Sequence, residues 1–266
     1  MIGRVGHRSA HSLGRRMLYA LRAFFLGGVS KGQAVYFVNH RGHRYKRVVF
    51  GDSHQAEKVE RTLHEVAVRS AVPRLILCHE REVWVEFVEG RPLDPASSAD
   101  LELLMHFYAE LYRGGARSVP LADTPWHARL ANDLWFLERA GVLSSGRAVE
   151  IARCGEELEP TTVWLGFDYV DPVVKNFIVA ADGLKAIDIE SFQAEQLLGT
   201  GIAKAGIHFP GFESVAFIDG MVEAGAPDFR AQQRYVELCF LAGWTKRKLL
   251  TGKQRYVQPE RFDGFR

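Results

Sequence analysis

Three side chains within an 18-residue stretch have the types and spacing to handle a phosphate group. Asp171 and Asn176 are five apart in Asp-Pro-Val-Val-Lys-Asn, and Asp188 follows twelve residues after Asn176 in Ile-Asp-Ile-Glu. An Asp at the head of a loop can orient a hydroxyl and relieve it of its proton. An Asn carbonyl oxygen suits a hard divalent ion, and a second carboxylate can bridge that ion to phosphates. Mg²⁺ takes few protein ligands, so one Asn and one Asp can suffice. Phosphoryl transfer asks a protein mainly for positioning and charge neutralisation. The competing reading is bland: D-x-x-x-x-N is common, and Asp188 could simply cap a strand end.

For Asn176 and Asp188 to converge, the chain between them must fold back. Residues 176–180 and 184–187 read as short strands around the turn Ala181-Asp182-Gly183. Upstream, residues 34–38 and 43–50 form a second hairpin around Asn-His-Arg-Gly. Asp52 or Ser53 can cap a helix over 57–69, closed by Pro73. Residues 75–78 and 83–88 make another strand pair. After Gly90-Arg91-Pro92 the periodicity turns helical, over 100–113, 126–140, 147–158, 213–224 and 228–250. The expected fold is therefore α+β, with a small β-rich N-lobe containing one helix and a larger helical C-lobe. The expected division is a basic segment over 1–23, an N-lobe over 24–90 and a C-lobe over 91–266. That C-lobe carries the catalytic loop and the metal-binding hairpin.

Composition is that of an ordinary globular chain: 266 residues, 47% apolar, with five Trp and 17 Phe for a core. Its three cysteines lie far apart with no paired metal-ligand spacing, which suits a reducing compartment. No secretory signal is legible, and the apolar run over 17–29 is broken by Arg22 and too short to span a bilayer. A cytoplasmic location is expected. Charge is lopsided: ten basic residues precede the first acid, Asp52, so the remainder carries −8 against an overall +2. A basic end beside Leu18, Leu21 and Phe25 can rest on an anionic membrane leaflet as a peripheral contact. Nucleic acid is not an expected partner, because no recognition motif or stacking platform accompanies these cations.

The order D-x-x-x-x-N, hairpin, I-D-x-E resembles the catalytic and metal-binding segments of the protein-kinase-like superfamily. Its Ile-Asp-Ile-Glu form is closer to the aminoglycoside, choline and lipopolysaccharide-core kinases. The resemblance implies ATP and Mg²⁺, with Asp171 as catalytic base and Asn176 and Asp188 as metal ligands. Val-Trp-Val-Glu-Phe-Val-Glu-Gly-Arg-Pro-Leu over 83–93 resembles the strand and hinge of that family, so backbone around Glu86 to Val88 would bond the adenine edge. The strand cation for the phosphates would be Lys46, with Arg47, on the opposite strand face, as the alternative should the register slip. Its helix partner would be Glu60, with Glu57 and Glu65 as alternatives. The phosphate loop would be Gly27-Gly-Val-Ser-Lys-Gly32, cradling phosphate with Gly28 and Gly32, although its spacing departs from G-x-G-x-x-G. Tyr169 stands where the family usually has His, and Asp168 beside it is a competing catalytic carboxylate.

The implied activity is transfer of the ATP γ-phosphate to a hydroxyl of a sugar, a lipid-linked sugar of lipopolysaccharide-core type, or another small molecule. The acidic remainder of the chain favours a cationic acceptor such as an aminosugar, whereas the basic N-terminal end favours an anionic lipid-linked one. A Ser/Thr protein kinase is a second expectation, disfavoured by the short apolar run over 193–211. A nucleotide-binding pseudokinase module without turnover is a third.

Overall fold

The computed structural model describes Arg8–Ser9 and residues 33–265. The expected phosphate loop with Gly28 and Gly32 and, apart from Arg8–Ser9, the basic segment over 1–23 lie outside the described residues. The chain divides into two compact units: Met1–Asp94 with Val174–Glu190, and Pro95–Val173 with Ser191–Arg266.

In the first unit five antiparallel strands run in the order β1 (Arg8–Ser9), β2 (Ala34–His40), β3 (His43–Val49), β5 (Glu82–Glu86), β4 (Leu75–His79). The β2–β3 hairpin closes through Arg41 and Gly42, both at positive φ (50° and 80°), the geometry whose twist matches the flanking strands. Helix α1 (Ser53–Glu65) begins where the Asp52 carboxylate accepts from the Gln55 N–H at 2.9 Å, and it packs Ala56, Val59 and Leu63 toward β4 and β5. It stops four residues before the expected end. Val66 leaves the helix in extended backbone, and Val66 and Val68 are both buried, so these two core residues are reached by alternation and not by helical periodicity.

A second sheet in this unit joins β9 (Phe177–Ala180) and β10 (Gly183–Ala186) to a two-residue strand, β6 (Arg91–Pro92). The Lys185 ammonium also bonds the Ser70 carbonyl. The hairpin that the sequence assigns to the C-lobe thus packs with the N-terminal unit. Gly90 makes the pairing possible: at φ 155°, its missing Cβ would sit 2.3 Å from the Val179 carbonyl oxygen.

The second unit holds α2 (Ser98–Arg113), α3 (Arg129–Arg139), α4 (Ser145–Leu158), α5 (Thr200–His208), α6 (Ser214–Glu223) and α7 (Arg230–Leu250). Ser97 and Ser144 cap α2 and α4 through their hydroxyls, each at 3.3 Å. Leu134 and Leu137 of α3, Ile151 of α4 and Leu238 and Ala242 of α7 share one core. Three antiparallel strands complete the unit, in the order β11 (Phe192–Leu197), β8 (Thr162–Tyr169), β7 (Arg117–Pro120). These strands and α5 go beyond the sequence expectation.

Replacing Gly90 by Ala is expected to lower stability by about 1–3 kcal/mol, since the methyl meets rigid backbone. Gly146→Ala, in α4 with nothing within 4 Å of the added carbon, is expected to stabilise by up to about 1 kcal/mol. Urea unfolding of both variants beside wild type checks the pair, and equal midpoints would refute the backbone clash.

Candidate active site

Within the first unit, β3 sends its two adjacent cations to opposite faces, as a pleat requires. Arg47 lies opposite Trp84 on β5 and is held by Glu82, with its Nε 2.9 Å from a carboxylate oxygen. Its guanidinium also sits 5.4 Å from the ring centroids of both Tyr36 and Trp84. Bonding to Arg47 is the largest influence holding the Glu82 carboxyl below its usual range. Lys46 points the other way, and its Nζ donates to the Ile187 carbonyl at 3.0 Å, one residue before Asp188. The β9–β10 hairpin brings the two expected metal ligands together: Asn176 Nδ2 donates to Asp188 Oδ2 at 3.4 Å. The Ile187 N–H in turn bonds the Asn176 carbonyl at 2.8 Å, fixing the backbone at both ligands.

This donor set fits Mg²⁺. It offers one amide oxygen and one carboxylate, the sparse hard-oxygen pattern of an ion that keeps waters and phosphate oxygens as its other ligands. Among the described residues no three His, Cys, Asp or Glu side chains gather into a self-sufficient metal cage.

Two expectations for this unit change. Lys46 and Glu60 form no ion pair; the Glu60 carboxylate faces the Cys78 thiol, which burial and then Glu60 push up to about 11. Glu60 is directed at Cys78 of β4, whereas Lys46 is directed at the carbonyl of Ile187 in the hairpin segment. At the hinge, Glu86 and Phe87 give their N–H groups to the Arg74 and Arg44 carbonyls at 3.0 and 3.2 Å. The Glu86 side chain accepts from the Arg74 N–H at 3.0 Å. Neither of those N–H groups can address an adenine, and Val88 carries the next one along the chain.

In the second unit, Asp171 follows the end of β8. The aromatic ring beneath it belongs to Tyr169, fully buried, with Phe107 and Phe192 packed edge-on at 5.7 and 4.8 Å. The Tyr169 carbonyl accepts from the Tyr108 hydroxyl at 2.7 Å. Tyr therefore fills the position from which His was expected. Asp168, the competing carboxylate, is also fully buried and accepts from the Gly201 N–H at 2.9 Å, where α5 begins. It seats a helix and is out of reach of any substrate. Gly201 has no room for a side chain: a Cβ there would lie 2.3 Å from the Tyr169 carbonyl and 2.5 Å from the Tyr108 hydroxyl. One turn further along α5, Lys204 pairs with Asp171. Only the tertiary fold brings this lysine in, 33 residues away in sequence, and no local motif announces it.

No protein-family model matches the chain, and no curated protein sequence does. Solved structures do. The macrolide 2'-phosphotransferase of Brachybacterium faecium superposes with a TM-score of 0.63 at 14% identity, over 92% of this chain and 96% of that one. A type I macrolide 2'-phosphotransferase gives 0.61 at 15% identity, over 94% and 96%. The choline kinase of Streptococcus pneumoniae gives 0.58 at 14%, over 93% of each chain. The fold is protein-kinase-like. At these identities it is the kinase-like fold that is shared, as the α+β, two-lobed pattern of the sequence anticipates.

Asp168 makes the kinase-like core sensitive to pH. Burial pushes its carboxyl up to about 6, opposed by the Gly201 N–H, the Tyr112 hydroxyl and the N–H groups of Tyr169 and Thr200. A carboxyl whose folded value exceeds its unfolded one contributes most to stability below about pH 4 and loses that contribution as pH rises through about 6. Between about pH 4 and pH 7, wild type is expected to lose up to about 3 kcal/mol relative to Asp168→Asn. Urea titrations of both proteins at the two pH values measure the difference, and parallel curves would exclude it.

Proposed function

We propose that the chain is an ATP-dependent phosphotransferase acting on a hydroxyl of a small molecule, with Mg²⁺ as its metal. Convergence of Asn176 and Asp188, with Lys46 anchored at the carbonyl between them, is the observation that carries this. These three groups belong to one unit and form the end suited to nucleotide. Asn176 and Asp188 would hold the metal, which when bound neutralises phosphate charge. The Lys46 ammonium would address the α- and β-phosphates, and backbone at Val88 would receive the adenine. In the other unit Asp171 would orient the acceptor. As the acceptor oxygen bonds to the γ-phosphorus, the bridging bond to the β-phosphate breaks and ADP leaves with that electron pair. The hydroxyl proton passes to the Asp171 carboxylate. Lys204 then acts as a positioning residue that fixes the rotamer of Asp171.

The chain after Asp188 argues for a small acceptor over a protein one. Phe192–Leu197 is woven into the sheet beside β8, and α5 opens at Thr200, twelve residues after Asp188. No length remains there for a segment that could dock a polypeptide. A lipid-linked sugar acceptor and contact with an anionic membrane draw their support from the Ile-Asp-Ile-Glu form and from the basic N-terminal end beside Leu18, Leu21 and Phe25. Among the described residues no helix is long and apolar enough to cross a membrane.

ADP release with ATP and Mg²⁺ across pools of sugars, aminosugars, sugar acids and sugar phosphates tests the proposal. Asp171→Ala is expected to lower kcat about 10²–10⁴-fold with ATP binding retained. Asp188→Ala and Asn176→Ala are expected to abolish Mg²⁺-dependent turnover, and Lys46→Met to raise the KM for ATP, with circular dichroism unchanged in all four. Wild type that binds ATP but turns over no pool would instead be a nucleotide-binding module.

A further inference from the structure

A cavity of about 120 Å³ in the second unit is lined by two immediate neighbours of Asp171, though not by Asp171 itself. Val170, which precedes that aspartate, and Lys204, which pairs with it, both line the cavity. Three cations reach it from three helices: Lys204 from α5, Arg129 from α3 and Arg247 from α7. No carboxylate lines it, and its apolar walls are Trp126, Phe240 and Trp244.

The positive charge there is only partly compensated. Lys204 is matched by Asp171. Arg129 lies 3.8 Å from Asp133, but that buried carboxylate is held more closely by Lys246, at 2.7 Å. The Arg129 guanidinium instead lies over the Trp126 ring, 4.3 Å from its centroid. Arg247 is exposed and has no carboxylate partner among the described residues. The same field reaches the next residue of α7, where burial and then the charges of Lys253, Lys204 and Arg247 hold the Lys248 ammonium below its usual range. Unmatched guanidinium groups at the mouth of an aromatic-walled cavity are suited to anionic oxygens, which they bind through paired hydrogen bonds.

We propose that this cavity is the acceptor subsite, and that the acceptor is a hydroxyl compound bearing an anionic oxygen group, phosphate or carboxylate, held by Arg247 and Arg129. This rests on the phosphotransferase assignment and adds the substrate class to it. The anionic group is not consumed. It serves as a handle that turns a hydroxyl toward Asp171, while the apolar face of the ring lies against Trp244. Cys239 at the cavity wall takes no chemical part, because burial pushes its thiol up to about 12.

Two readouts on the full chain separate this proposal from the one beneath it. Glucose 6-phosphate, glucuronate, glucose and glucosamine are titrated against tryptophan fluorescence without ATP, and the same four are offered as acceptors for ADP release. Quenching by glucose 6-phosphate or glucuronate is expected, and the tighter of the two tells phosphate from carboxylate. Arg247→Gln is expected to weaken that binding at least tenfold, with partial recovery in Arg247→Lys. If glucose or glucosamine binds equally well, or Arg247→Gln binds like wild type, the anionic acceptor is wrong. Turnover of a neutral or cationic acceptor would overturn it while upholding the phosphotransferase. Anion binding lost in Arg247→Gln, with no ADP from any compound, would keep the anion site and remove the phosphotransferase.

Discussion

A buried carboxylate at the start of a helix holds the loop that carries Asp171 in register. Asp168 is removed from water entirely, a placement that is costly for a charge unless N–H donors surround it. The first turn of α5 supplies such donors, and the positive end of its dipole adds to them. Because Gly201 lacks a side chain, that turn can lie directly on the Tyr169 backbone. Everything that gives Asp171 its setting follows from this contact. The strand end is pinned from one side by α5 and from the other by the Tyr108 hydroxyl, and Lys204 arrives one turn on, where it can pair with Asp171.

The proposed chemical tasks fall in separate units. Asn176, Asp188, Lys46 and the segment over 86–88 fall in one, whereas Asp171, Lys204 and the basic cavity fall in the other. Each cluster is internally cross-braced: Asn176, Ile187 and Asp188 in the first, Asp168, Gly201 and Lys204 in the second. A reaction whose catalysis is mostly positioning and electrostatics benefits from such rigid holders more than from any special nucleophile.

The hairpin that joins Asn176 to Asp188 was legible because its strands and turn are close in sequence. The strands of the first unit were legible from alternation, and the long helices from their apolar faces. What escaped was tertiary. Strand β8 carries Trp, Gly and Asp through its length and is nearly all buried, so it shows no alternation. Helix α5, Thr-Gly-Ile-Ala-Lys-Ala-Gly-Ile-His, is short and holds two glycines, which hides a helical period. Glu60 was a reasonable partner for Lys46 from spacing alone, but in the fold it is directed at Cys78 of β4. Net charge likewise says little about a single cavity. The remainder of the chain is acidic, yet the cavity lined by Val170 and Lys204 is basic, because three helices each bring one cation to the same point.

The first unit is written in two parts, and this matters while the protein is being made. Residues through Asp94 leave the ribosome early, but β6 has no partner until β9 and β10 exist. The chain must lengthen by 96 residues, from Asp94 to Glu190, before that sheet can close. At about 5–20 residues per second, the interval is roughly 5–20 s. Throughout it the nascent N-terminal sheet stands without the hairpin that receives the Lys46 side chain, and Gly90 has no strand to lie against. A growing chain in that state presents unpaired strand edge to its surroundings, an edge that invites misplaced pairing until the hairpin is made.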